Sequence, residues 1–105
     1  MSTQFQQATI PVAHPATFDV VRGAIDRSFS AQGVENFLRS LESRKLRIRD
    51  FEQVLNAGKL GSDAAAAYAK LGDADQGMIR ELYLASLEKV PVEFRDKYFK
   101  LYAYY

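Results

Sequence analysis

The chain has 105 residues, 48% of them from the AVILMFWYC set and 26% charged, the proportions of one globular domain, which argues against a disordered chain and against a membrane span. Fourteen Lys and Arg against thirteen Asp and Glu leave a net charge of +1, excluding the strongly basic binders of nucleic acid or anionic membrane. With no cysteine and one histidine, a disulfide framework, a thiolate nucleophile, a Cys-based zinc site and a multi-His metal site within one chain are excluded too.

Residues 1–16 carry no Asp, Glu, Lys or Arg, and Pro11 and Pro15 disfavour helix at and before themselves, so this stretch reads as an extended N-terminal arm. It lacks the basic start and apolar run of a secretory signal, and the cytoplasm is the expected location. His14 has no carboxylate near it in sequence and is expected to be exposed and idle. From Thr17 to Tyr105 the apolar residues recur at helical spacing, which predicts a single helical domain.

Phe18, Val21, Ile25 and Phe29 mark the first helix, with Thr17 as its N-cap and Gly23 marking a close crossing by a neighbour. Ser30 caps a second, striped by Val34, Phe37, Leu38 and Leu41 and ending near Arg44. Leu46 and Ile48 alternate with Lys45, Arg47 and Arg49, which predicts a short extended connection. Phe51, Val54 and Leu55 form a brief third helix that Gly58 ends. Ser62 caps the alanine-rich fourth, whose thin surface admits close neighbours and which Gly72 stops. Asp73 and Gln76 fit a capping box before the most regular stripe, Ile79, Leu82, Tyr83, Ser86, Leu87 and Val90. Pro91 opens a last helix with acid-first pairs Glu93 with Lys97 and Asp96 with Lys100. The whole is an all-α, small globular bundle of five or six short helices.

Three clusters bear on function. Phe94, Tyr98, Tyr102 and Tyr105 share one helical face, which is either the rim of the core or a partner-binding surface, with the ring buried and the hydroxyl at the edge in the first case. Arg39, Arg44, Lys45, Arg47 and Arg49 form a basic patch at a helix junction, which could hold an anionic ligand as a helix-turn-helix holds DNA. Against that, the following helix would present Asp50, Glu52, Gln53 and Asn56 to phosphate, and a solvated surface with a local Glu35–Arg39 pair is favoured. Asp73 and Asp75 are expected to serve a helix start rather than catalysis, and Gly58 and Gly61 around Lys59 are too sparse for a phosphate loop.

The segment AYAKLGDADQGMIRELYLASLEKVP resembles a tetratricopeptide repeat in its small residues, Gly-Asp turn and closing Pro. It departs from that family in spacing, carries Gly77 where the repeat has a packing alanine, and has no second copy, so no family is assigned. The expected function is a non-enzymatic protein-interaction or regulatory module, with another protein or a second copy as partner and no cofactor. A nucleic-acid-binding domain using the basic patch is the alternative, and an enzyme comes third because no nucleophile, base and oxyanion group assemble from recognisable spacing.

Overall fold

Seven helices and no strand form within residues 15–102, the residues described by the computed structural model. They are α1 (Pro15–Ser28), α2 (Val34–Ser43), α3 (Phe51–Asn56), α4 (Ser62–Lys70), α5 (Asp73–Glu88), α6 (Val92–Lys97) and α7 (Phe99–Tyr102). The all-α bundle is therefore as expected, with one helix more because the C-terminal segment breaks at Tyr98, whose φ of −114° and ψ of 38° are not helical. The expected arm, as far as residue 14, and His14 with it, lie outside the described residues. Pro15 and Ala16, assigned to that arm from sequence, belong to α1 instead, since proline is well suited to a first turn whose N–H groups have no helical partner.

Helix boundaries follow backbone hydrogen bonding more closely than they follow the polar residues read as caps. Thr17 lies inside α1 rather than before it. Ser30 lies before the cap position of α2, which Gly33 holds without a side-chain bond; the Ser30 Oγ accepts from the Gly33 N–H at 3.1 Å and its carbonyl from Val34, closing the turn that leads into the helix. Asp50 does act as a cap: it accepts from the Gln53 N–H at 3.0 Å and opens α3. Ser62 and Asp73, by contrast, are the first helical residues of α4 and α5, and the glycine before each takes the cap position. No capping box forms; Gln76 donates to the Tyr68 carbonyl at 2.9 Å and ties the start of α5 to α4.

Two helices end in the same motif. Gly58 (φ 79°) donates to Leu55 and Lys59 to Val54, and at the end of α2 Lys45 (φ 54°) donates to Glu42 and Leu46 to Leu41. Lysine thus stands where the left-handed backbone favours glycine. At Gly33 the reason for glycine is a close approach, because a Cβ there would lie 2.4 Å from the Arg27 carbonyl oxygen. The crossing expected at Gly23 is not found: a Cβ there would meet only the Arg27 guanidinium, at 3.4 Å.

The stripes close on one core. Phe18, Val21 and Ile25 of α1 face α4 and α5, and the buried Ala64 and Ala67 let α4 lie close along α1. Phe37, Leu38 and Leu41 bury the inner face of α2. Alternation in the 45–49 connection is real, with Ile48 fully buried and Lys45, Arg47 and Arg49 exposed. On α5 the buried line is Ile79, Tyr83 and Leu87, continued by Val90. Leu82, expected in that stripe, is 37% exposed, because the residue before Tyr83 points about 100° away around the helix.

Tyr83 is the centre of this core. Its ring meets Phe29 at 5.7 Å and Phe51 at 5.0 Å between centroids, and those rings meet Phe37 and Tyr68 in turn, making a chain of five aromatics across α2, α3, α4 and α5. Its hydroxyl donates to the Ile48 carbonyl at 2.6 Å, and burial pushes its pKa far above the usual phenol value. Tyr83→Phe keeps the rings but leaves a buried carbonyl without its donor, and should cost about 1–3 kcal/mol in denaturant-induced unfolding. Lys45→Gly should act oppositely, raising stability by about 0.5–1 kcal/mol in the same measurement by relieving the left-handed backbone.

Candidate functional site

The C-terminal aromatic face turns inward. Tyr98 is 4% exposed and Leu101 fully buried, while Phe94 and Tyr102 are half-buried against the core; Tyr105 lies outside the described residues. Tyr98, read from sequence as a candidate partner-binding residue, is therefore a core-rim side chain, ring buried and hydroxyl donating to Glu35 at 3.0 Å. The same Glu35 carboxylate accepts from the Lys97 ammonium and pairs with Arg39 at 3.5 Å. The Glu35–Arg39 pair is as expected, but Lys97 reaches across to α2 instead of back to Glu93. Arg95 completes the attachment by donating to the carbonyls of Leu87, Glu88 and Val90, the end of α5.

The basic patch is dispersed by folding. Arg39 is held by Glu35 and by Asn36, and Arg49 by Glu88 of α5 at 3.2 Å, while Arg44, Lys45 and Arg47 are exposed around the turn after α2. The proposed reading helix is only six residues long, and three of its four polar groups are occupied. Asp50 caps α3, Gln53 accepts from the Arg47 N–H at 2.7 Å, and Glu52 accepts from the Tyr68 hydroxyl at 3.0 Å.

That hydroxyl also accepts from Arg80 at 2.8 Å, so a phenol sits between a carboxylate and a guanidinium. Burial raises the Tyr68 pKa, the Arg80 bond works against the rise, and Glu52 adds to it. Glu52 and Arg80 of this trio border a cleft of about 670 Å³ between α3 and α5, which Arg49, Asp50 and Glu81 also line, giving charges of both signs. Asp75 is buried in the first turn of α5, and Asp73, its expected companion, is exposed. Among the described residues no group of three or more His, Cys, Asp or Glu is placed to hold a metal ion, and no helix is long and apolar enough to cross a membrane.

What the folding leaves outward is a face of α5. Met78 is 42% exposed and Leu82 37%, with Ala74 and Ala85 exposed beside them. Glu81, Ala85 and Lys89 follow one another at i, i+4 along the same side, and neither charge has an ion-pair partner among the described residues. The i, i+4 spacing was readable in the sequence, but it lay hidden under the assignment of Leu82 to the core. No protein-family model matches the chain, and no curated protein or solved structure does so either.

The Glu35 clasp has a defined pH response. Lys97, then the Tyr98 hydroxyl, hold the Glu35 carboxyl below its ordinary 4.5, and Glu35 in turn raises Lys97. A lowered acid contributes stability that is present above the ordinary value and lost as pH falls through the folded one; a raised lysine contributes stability lost only in strong base. Amide protection at Tyr98 and Leu101, corrected for intrinsic exchange, should therefore fall as pH drops from about 5 to about 3. In Glu35→Gln it should be lower at neutral pH and flat across that interval.

Proposed function

We propose that the protein is a non-enzymatic helical interaction module that pairs with a second copy of itself through the outward face of α5. The observation that carries this reading is the order of Glu81, Ala85 and Lys89 beside exposed Met78 and Leu82. A two-fold axis through Ala85 sets two antiparallel α5 helices with Glu81 of each copy opposite Lys89 of the other. Alanine at the axis allows a close approach, and Met78 and Leu82 supply the apolar area on either side. So small a contact belongs to the weak, transient class of interfaces. No cofactor enters this reading, and a cytoplasmic location suits a cysteine-free chain that relies on no oxidised staple.

The nucleic-acid alternative has less support. Arg39 and Arg49 are paired with Glu35 and Glu88, and of the four polar residues from Asp50 to Asn56 three hold internal hydrogen bonds. Sedimentation at increasing concentration should show a mass rising from 11.8 kDa toward twice that value. Glu81→Lys and Lys89→Glu should each hold the protein at the monomer mass through like-charge repulsion, and the double exchange should restore association. A parent that stays monomeric at millimolar concentration, or charge variants that associate like the parent, would remove this reading.

A further inference from the structure

We propose a second and separate site, a cleft that binds a small organic anion with an apolar body. It measures about 310 Å³ and lies between the last turns of α1, the beginning of α2 and the connection from α3 to α4. That volume is at the lower end of small-molecule pockets and suits a single ring with one charged group. Two basic residues are part of its lining, exposed Arg27, whose guanidinium rests over Gly23 one turn back along α1, and half-buried Lys59, and neither has a carboxylate partner among the described residues. No Asp or Glu is part of its lining, although Arg27 and Leu60 also border the adjoining depression that Asp19 and Asp63 line.

The remaining chemistry points the same way. Asn36, part of the lining, uses its carbonyl oxygen to accept from Arg39 at 3.3 Å, which leaves its amide N–H groups as donors outside that bond. The Arg27 carbonyl, which would repel an anion at this helix end, is occupied by the Ser30 hydroxyl at 2.8 Å. Buried Phe37 and Leu60 form an apolar floor. Cations that hold no internal acid, an amide donor and an apolar floor together match a ring bearing a carboxylate or a phosphate ester. Arg27 suits either as a two-point donor and Lys59 as a point charge.

The test is titration of the full chain with benzoate, phenyl phosphate and, as the uncharged control, benzyl alcohol, followed by amide chemical shifts. Saturable shifts confined to Gly33, Asn36, Phe37 and Leu60 are expected with one or both anions, and the tighter of the two identifies the charged group. Arg27→Gln, at an exposed position, and Lys59→Gln, at a half-buried one, should each weaken binding about tenfold while leaving the remaining spectrum in place. The same titration in Glu81→Lys should match the parent, because the cleft shares no residue with the α5 face. Linear shifts, equal response to benzyl alcohol, or unchanged binding in both cleft variants would overturn the proposal.

Discussion

The hydrogen bond from the Tyr83 hydroxyl to the Ile48 carbonyl fixes a partly buried stretch of backbone that lies outside the helices. Residues 44–50 lie between α2 and α3 without helix or strand, yet Ile48 is fully buried there. A buried carbonyl needs a donor, and Tyr83 supplies it across 35 residues of sequence. The Gln53 side chain serves the neighbouring Arg47 N–H in the same way. With the connection pinned, Phe51 reaches the Tyr83 ring, α3 takes its place beside α4, and the opposite side of α5 is left to face outward.

The two ends of the described chain are fastened by different forces. α1 is held by apolar burial along α4 and α5. No residue of α6 is buried, and that helix is secured by ion pairs and charge-assisted hydrogen bonds, Arg95 on the carbonyls that end α5 and Lys97 on Glu35. Positive charge at a helix C-terminus is favourable to the dipole, so Arg95 stabilises α5 while it anchors the segment that follows. Phe94 of α6 is only half-buried against the core, and Tyr98 and Leu101 then add the full apolar burial.

Much of the helical architecture was legible in the sequence because burial there follows the 3.6-residue period. The stripes of α2 and α3 are buried as the spacing predicts, as are Phe18, Val21 and Ile25 of α1, while Phe29 falls beyond α1 and is half-buried; Gly58 ends α3 in the left-handed conformation expected of it. The break at Tyr98 was not legible, since both halves of the C-terminal segment keep helical spacing and only tertiary bonding chooses where the chain turns. Local pairing rules found Glu35 with Arg39 but missed Lys97, 62 residues away, which competes for the same carboxylate. The basic patch misled for a related reason: neighbours in sequence, Arg39 and Arg49 end on different elements with different acids. The α5 face and the Arg27–Lys59 cleft depend on what remains uncovered, and composition carries no record of that.

Gly33 has a further consequence. The Arg27 carbonyl occupies the space that any side chain would enter, so even alanine would drive apart the end of α1 and the beginning of α2. Gly72, with open space around it and an extended backbone, places no such demand, although both glycines precede a helix. Two residues of the same type in the same local role therefore differ in their tolerance to replacement. A saturation screen of this gene would separate them sharply, and a distant descendant that kept this turn would be expected to keep glycine at position 33 while position 72 drifted.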